Sequence, residues 1–490
     1  MKLADLIQDI PLIESGSPPP ALDISGLTED SRLVRPGMLF AALAGTKANG
    51  MAYAEEAARA GAAAILAAAE ADTGSLSLPV LRAQEPRRAL ALLAARFYGG
   101  QPKTVAAVTG TNGKTSVASF LRQIWAATGF EAASLGTIGI ATSKGETPLA
   151  HTTPDPVSLH KHLARLAAEG VTHLALEASS HGLDQHRLDG VRISAGAFTN
   201  ITRDHLDYHP TFGHYLNAKL RLFRELLAPG SPAVIDADSP GAEAAIGAAK
   251  SAKLSLWTVG QRGEGIALKS IEPNGFKQRL FLDYNGRSYS LDLPLAGAFQ
   301  VSNALVAAGL ALGLGAAPES VFSAISKLQG AKGRLEHIGE TAAGAPAFVD
   351  YAHTPDALTK ALQALRPYAT GRLHVVFGCG GDRDKGKRPE MGRAAAANAD
   401  AVYVTDDNPR SEDPAAIRSA ILAAAPGATE IASRADAIAA AVAALRQGDV
   451  LLVAGKGHET GQITGKVVVP FSDHEAVAAA LAAARGRANG

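Results

Sequence analysis

Short runs of aliphatic and β-branched residues, each closed by a glycine-rich or polar loop, recur along the chain. Thr104–Thr109 is one such run. A glycine-containing loop follows it, and from Thr115 the apolar positions take helical spacing. Strand, loop and helix in that order open an α/β nucleotide-binding domain. His173–Leu176 and Ala195–Phe198 are further apolar runs, Pro273–Pro294 alternates apolar and polar positions and predicts antiparallel strands, and Gly297–Leu312 predicts a helix. Nearer the end, three strand-like runs each lead into a polar loop: His374–Phe377 into Gly378–Arg383, Ala401–Thr405 into Asp406–Arg410, and Val450–Ala454 into Gly455–Glu459. Open α/β sheets bind ligands beyond the carboxyl ends of their strands, so these loops are expected to face a ligand.

Two breaks divide the pattern. The first stretch holds short strand-like pieces and the Ala-rich segment Tyr53–Glu70, and ends in the linker-like Tyr98-Gly99-Gly100-Gln101-Pro102. The second break lies near Gly330–Gly333. A chain of 490 residues has room for two to four domains.

Composition narrows the class. Apolar residues at 47% and charged residues at 19% suit a soluble globular protein. Lys+Arg and Asp+Glu both number 47, so there is no basic excess of the kind nucleic-acid binders carry, and anionic substrates must be met by local clusters. The one cysteine, Cys379, excludes an intramolecular disulfide and is compatible with a reducing compartment. Met1–Ile10 has acidic residues and no apolar core of signal-peptide length, and no uncharged apolar run is long enough to span a bilayer. A cytoplasmic address is expected.

The loop Gly110-Thr111-Asn112-Gly113-Lys114-Thr115-Ser116 carries the first chemistry. Its glycines let backbone N–H groups approach phosphate oxygens, and the helix N-terminus favours negative charge. Lys114 can reach terminal phosphates, and the Thr115 hydroxyl can hold Mg²⁺. The full Walker pattern asks for glycine where this chain has Val108. Nucleotide binding follows from the context; the reaction does not.

Three other positions are open to more than one reading. Glu177, at the end of its run, suits Mg²⁺ beside a phosphate loop, but the same position serves a cap or a solvent-facing glutamate. His205, with Asp204 and Asp207 beside it, is a metal-ligand candidate or a structural histidine. Lys219, in a helical segment, reads from residue chemistry alone as a solvent-exposed lysine.

Taken in order, Gly110–Thr115, Glu177–Gly182, Asn200–His205, Ala218-Lys219, Asp350-Tyr351-Ala352-His353, Gly378–Pro389 and Gly455–Glu459 resemble the Mur ligase family, specifically its ligases that add the third stem-peptide residue to a UDP-N-acetylmuramoyl-dipeptide. The resemblance spans nearly the whole chain, and within that family the short phosphate loop is normal. It implies three α/β domains: an N-terminal UDP-binding domain (1–100), a central P-loop-type ATPase domain with a mostly parallel sheet (101–331) and a C-terminal Rossmann-like domain (332–490). It implies a CO₂-derived carbamate on Lys219, which with Thr115, Glu177 and His205 would hold Mg²⁺. Lys114, Glu177, His205 and Lys219 become the catalytic set, and Asn303, Arg334, Asp350 and His353 join the ATP site, with a hinge salt bridge as a second role for Arg334. Asp30-Ser31-Arg32 and Thr46 match uridine-side elements, while Thr152-Thr153-Pro154-Asp155, Ser179, Gln185 and Arg187 match residues for the muramoyl-dipeptide. Caps and turns explain part of that set, especially Thr153-Pro154-Asp155.

The loop Asp407-Asn408-Pro409-Arg410 resembles the signature of family members that add meso-diaminopimelate. That substrate differs from lysine by a second amino-acid head, whose carboxylate an arginine fork can bind through two parallel bonds. Asp407 and Glu459 could accept from the distal ammonium, Arg383 adds positive charge, and Gly455 belongs to the same set. A turn explains Asn408-Pro409 but not the flanking Asp407 and Arg410. The implied reaction runs through an acyl-phosphate formed from ATP, and third-domain closure is expected to bring in the amine. The partners are then the UDP-linked dipeptide, diaminopimelate and ATP, with no nucleic acid, no membrane insertion and a monomeric protein. Folate polyglutamate ligases, other Mur ligases, a P-loop kinase or NTPase, and a non-catalytic nucleotide module are the rival readings.

Overall fold

The computed structural model describes residues 1–13, 21–45, 49–74, 76–274 and 277–488. In chain order the first elements are α1 (Leu3–Ile7), β1 (Gly26–Thr28), β2 (Met38–Ala41), α2 (Ala54–Arg59), β3 (Ala64–Ala68), β4 (Val80–Ala83) and α3 (Pro86–Tyr98). Next come β5 (Thr104–Thr109), α4 (Lys114–Ala127), β6 (Ala132–Gly136), β7 (Gly139–Thr142), β8 (Gly145–Thr147), α5 (Pro156–Ala168), β9 (His173–Glu177), α6 (Ser180–Asp184), β10 (Ala195–Phe198) and α7 (Phe212–Arg221). They are followed by β11 (Pro232–Asp236), α8 (Ala242–Ser251), β12 (Ser255–Gly260), β13 (Ile266–Asn274), β14 (Lys277–Tyr284), β15 (Arg287–Leu293), α9 (Ala298–Gly313) and α10 (Pro318–Ile325). The last are β16 (Glu336–Glu340), β17 (Pro346–Asp350), α11 (Pro355–Leu365), β18 (Leu373–Phe377), α12 (Lys387–Asn398), β19 (Ala401–Val404), α13 (Pro414–Leu422), β20 (Thr429–Glu430), α14 (Arg434–Ala444), β21 (Val450–Ala454), β22 (Gly461–Thr464), β23 (Val467–Pro470) and α15 (Asp473–Ala488). The chain forms two compact units, Met1–Ala267 with Val306–Val321, and Leu268–Leu305 with Phe322–Gly490.

The first unit holds two sheets. β1 to β4 form a parallel sheet in sequence order, cored by Leu3, Leu27, Leu39, Leu66 and Leu90. Here the Ala-rich segment Tyr53–Glu70 splits between α2 and β3. Ala64–Ala67 are buried between β2 and β4, and that burial outweighs the helix preference of alanine. The second sheet runs β12-β11-β10-β5-β9-β6-β7-β8, parallel from β12 to β6 and antiparallel beyond. Its central strands are apolar on both faces because helices cover both. β5 lies between β9 and β10, so Val108 pairs with Glu177 on one side and Ala197 on the other. This order brings three distant loops to one edge.

In the second unit β14 and β15 pair antiparallel, with Gln278, Leu280, Leu282 and Tyr284 alternately buried, as the alternation predicts. A further sheet runs β16-β17-β21-β18-β19-β20 and is parallel except at β16. α11, α12 and α13 share one core with this sheet, through Leu358, Met391 and Ile417. α14 and α15 share the other, through Ile438 and Val477. Because β17, β21, β18 and β19 run parallel, the loops after them leave from the same edge. Among the described residues no helix is long and apolar enough to cross a membrane.

Candidate active site

The phosphate-loop residues connect β5 to α4 as the pattern predicts. Gly110 adopts φ +146°, and a Cβ there would overlap the Thr199 hydroxyl, so only glycine fits. Thr111 N–H donates to Asn200 O (2.8 Å), and Asn112 N–H donates to Asn200 Oδ1 (3.1 Å). Thr111 Oγ1 also meets the Tyr215 hydroxyl (2.9 Å). Gly113 caps α4 in the left-handed region, and Lys114 Nζ donates to Gly110 O and Thr111 O, both at 2.9 Å. Thr115 and Ser116 are buried in the first turn, and Val108 is a fully buried strand residue.

Glu177 is buried and neither caps a helix nor faces solvent. Its Oε2 accepts from the Thr115 hydroxyl (3.0 Å) and the Thr137 hydroxyl (3.1 Å), and its Oε1 accepts from Thr137 N–H (2.8 Å). A Cβ on Gly136 would occupy the carboxylate's place. Lys219 lies in the last turn of α7 and is 1% exposed, contrary to its reading as a surface lysine. Its Nζ donates to Gly110 O (2.6 Å) and lies 4.4 Å from the Tyr215 ring centroid. Desolvation, then the Lys114 charge, hold its pKa well below the usual lysine range. Burial of one charged group beside another of like sign is what makes an amine neutral and nucleophilic.

His205 adopts φ +53°, and its Nε2 lies 3.5 Å from Asp204 Oδ2. Its pKa is lowered by desolvation and by Lys114 and Lys219, against the pull of Asp204. The His181 ring stands edge-on to His205 at 5.0 Å, and desolvation first, then His205 and His209, push its pKa to about 4.

A chain of hydrogen bonds joins this centre to the residues expected to bind the dipeptide. Thr137 Oγ1 meets Thr152 Oγ1 (3.0 Å). Thr153 is buried, its hydroxyl donating to Glu177 O (2.8 Å) and accepting from Ser179 N–H (3.1 Å). Ser179 caps α6, accepting from Gly182 N–H (3.0 Å). Arg187 donates to Thr153 O (2.7 Å) and Gln185 Oε1 (2.7 Å), and Gln185 Nε2 donates to the Tyr208 hydroxyl (3.1 Å). Desolvation and then Asp155 raise the Glu29 pKa, opposed by the Arg87 and Arg187 charges. Asp155 is the N-cap of α5, as a turn reading allows, and Asp30 pairs with Arg32 (2.6 Å). Thr46 lies outside the described residues.

The other expected nucleotide residues belong to the second unit. Asn303 Nδ2 donates to Gln300 Oε1 (3.2 Å), and Gln300 Nε2 donates to Arg334 O (3.2 Å). The Arg334 guanidinium lies over Tyr351, 4.8 Å from the centroid. Asp350 accepts from Leu335 N–H (2.6 Å) and Ala352 N–H (2.7 Å), and desolvation raises its pKa against the Arg334 charge. His353 Nδ1 lies 2.9 Å from Tyr351 O.

The three polar loops of this unit meet. Arg410, at φ +53°, donates from Nη1 to Gly381 O (2.9 Å), and Gly381 N–H donates to Asn408 O (2.9 Å). Asn408 Nδ2 donates to Glu459 Oε2 (2.9 Å). Asp407, Asn408 and Pro409 are buried, and Gly455 packs on the Asp407 carboxylate. Arg383 is exposed, held by Asp382 O (3.1 Å). Arg410 itself is half-buried.

Sequence reasoning overlooked Thr137, Tyr215 and Lys456. Thr137 follows a strand end without any motif, and Tyr215 reads as ordinary helix core. Lys456 sits between two glycines at a strand end, a signal that was legible but not its burial.

Three family models match the chain: Mur ligase family, catalytic domain, over residues 23–98; Mur ligase middle domain over 108–311; and Mur ligase, glutamate ligase domain, over 333–457. A UDP-N-acetylmuramoyl-L-alanyl-D-glutamate–2,6-diaminopimelate ligase from Bradyrhizobium diazoefficiens is 60% identical over 486 residues, covering 98% of this chain and 99% of its own. A solved structure of a ligase with the same name is 33% identical, covers 99% of both chains and superposes with a TM-score of 0.73. The MurF ligase from Thermotoga maritima in complex with ADP, at 19% identity and a TM-score of 0.63 over 94% of this chain and 98% of its own, shares the fold.

Proposed function

The chain belongs to the Mur ligase family, and from that premise we propose that it joins meso-diaminopimelate to UDP-N-acetylmuramoyl-L-alanyl-D-glutamate, with ATP converted to ADP and phosphate. It does so as a cytoplasmic monomer in peptidoglycan precursor synthesis. Residues 1–100 serve the UDP end of the acceptor, 101–331 the ATP chemistry and 332–490 the incoming amino acid. The observation that carries the choice of amino acid is the meeting of the three polar loops, where Arg410, Asp407 and Glu459 gather charges that complement an amino-acid head.

The D-glutamate carboxylate attacks the γ-phosphate of ATP, ADP leaves, and an acyl-phosphate forms. Lys114 and the amide N–H groups at the start of α4 offset charge on the transferring group. The diaminopimelate amine, as free base, attacks the acyl carbon, and the tetrahedral adduct expels phosphate. Arg187, Ser179, Gln185 and Thr152 hold the dipeptide, so most of the rate comes from positioning.

Mg²⁺ suits the donors present, since the Glu177 carboxylate and the Thr115 hydroxyl already converge at 3.0 Å and the His205 ring stands 6.1 Å from the Tyr215 ring on which Lys219 packs. Thr115, Glu177, His205 and a Lys219 carbamate would hold it, and bound there it would neutralise phosphate charge. The carbamate fits a buried amine held toward its neutral form: CO₂ would add to the free Nζ with loss of one proton, and the side chain would then offer anionic oxygen ligands.

The test supplies ATP, Mg²⁺ and the UDP-linked dipeptide and compares phosphate release with meso-diaminopimelate and with L-lysine. The expected preference for diaminopimelate is about 100-fold in kcat/KM, the worth of two charge-assisted hydrogen bonds at a half-buried site. Equal rates refute the reading.

A further inference from the structure

Lys456 has no role in the assignments above, yet its side chain is 0% exposed and its ammonium is spent entirely inside the amino-acid site. It donates to Asn408 Oδ1 (3.0 Å), to Gly461 O (2.8 Å) and, more weakly, to Glu459 Oε2 (3.4 Å). Those three acceptors lie on the three segments that build the site: the β19 loop, the start of β22 and the β21 loop.

The geometry imposes an order on the neighbours. Two donors, the Lys456 ammonium and Ile463 N–H (2.9 Å), face Asn408 Oδ1, which fixes the amide with its oxygen inward. The amide nitrogen then points at Glu459 Oε2 (2.9 Å), and that oxygen is fully engaged. The Glu459 side chain stays 32% exposed, so a ligand can reach its carboxylate. The same strand grips the arginine: Arg410 N–H donates to Ile463 O (3.0 Å), and Gly465 N–H donates to Arg410 O (2.6 Å). Lys456 thus ties Asn408 and Glu459 to the start of β22, and the backbone of that strand holds Arg410.

We propose that Lys456 is a positioning residue that presets Glu459 and Arg410 to the spacing of the ammonium and carboxylate of the incoming amino acid. The inference rests on the reading of this edge as the amino-acid site. A substrate with a distal amino-acid head gains from the fixed spacing; one with a lone ammonium uses only half of it.

The experiment measures KM for ATP, for the UDP-linked dipeptide and for the diamino acid in the full-length protein carrying Lys456→Met, Lys456→Gln, Asn408→Ala, and Lys456→Met with Asn408→Ala. Lys456→Met is expected to raise KM for the diamino acid by about tenfold or more, the effect of leaving buried acceptors unpaired, with the other two KM values within about twofold. Lys456→Gln, which keeps a donor, recovers part of the loss. The double variant adds less than about twofold to the larger single effect, because both act through the same carboxylate. Equal rises in all three KM values, fully additive effects, or loss of folded protein in both Lys456 variants assign the lysine to fold stability and overturn the proposal. Failure of the wild type to use diaminopimelate refutes the functional reading instead, and the cycle is then read on whichever amino acid the wild type accepts.

Discussion

Lys219→Met separates what the lysine does for chemistry from what it costs the fold. At 1% exposure, an ammonium at this position forfeits its hydration, at several kcal/mol for an enclosed ion, which is the cost that drives the folded lysine toward its neutral form. In return it has one charge-assisted bond, to Gly110 O at 2.6 Å, of about 1.5–3 kcal/mol. The Tyr215 face at 4.4 Å adds about 1–2 kcal/mol. Methionine fills similar volume, and Gly110 O keeps a donor because Lys114 Nζ also reaches it at 2.9 Å. The balance favours methionine by about 1–2 kcal/mol, or a Tm higher by about 2–4 °C, in nucleotide-free, CO₂-free buffer. The pH dependence has a definite sign. The folded lysine pKa is lowered, so the unfolded chain binds more protons between that pKa and the ordinary value of 10.5, and wild-type stability rises with pH through that window. The gap between variant and wild type is therefore largest at neutral pH and closes toward pH 10.5. Scanning calorimetry at several pH values reads the gap, and phosphate release reads ligation, which is expected to vanish and to return in part for Lys219→Ala with added short carboxylic acids. A methionine variant that melts below wild type with a pH-independent gap refutes the desolvation argument. One that ligates at full rate removes the carbamate.

Three further outcomes follow from the geometry. Arg410→Ala should lower kcat/KM for diaminopimelate by about 100-fold while leaving the slow reaction with lysine within about threefold; parallel losses on both substrates would show that Arg410 supports the loop rather than reads a carboxylate. Asp473→Asn breaks a buried pair in which Arg434 Nε and Nη2 each donate at 2.7 Å, and urea unfolding should show a loss of about 3–5 kcal/mol, with a change under about 1 kcal/mol counting against it. Burial pushes the Cys379 thiol up to about 12, so the native protein should react negligibly with a thiol-specific reagent at pH 8 and release one thiol only on denaturation; prompt labelling of the native protein would contradict this.

The sequence carried the parts of this protein that are written locally. The runs that became β5, β9, β10, β18, β19 and β21 are apolar at consecutive positions because helices cover both faces of each sheet, and that pattern needs no knowledge of partners. The phosphate loop is likewise local, since its glycines and Lys114 are fixed by the turn from β5 to α4. The ordered set of motifs was enough to name a family.

Everything that turns those motifs into a site depends on strand order and on contacts between distant residues. Helical spacing places Lys219 on α7, but its burial comes from Gly110, which reaches it only because β5 lies inside the sheet. The fate of Glu177 was undecidable until Thr115, from the first turn of α4, and Thr137, from the loop after β6, filled its oxygens. The Ala-rich segment Tyr53–Glu70 is split by its neighbours β2 and β4, which bury what propensity alone would coil. Lys456 and Asn408 are forty-eight positions apart, and their bond exists because β21 and β19 flank β18 in one parallel sheet. Local pattern records which positions are buried; the partner that makes a buried charge tolerable is chosen only when the sheet is assembled.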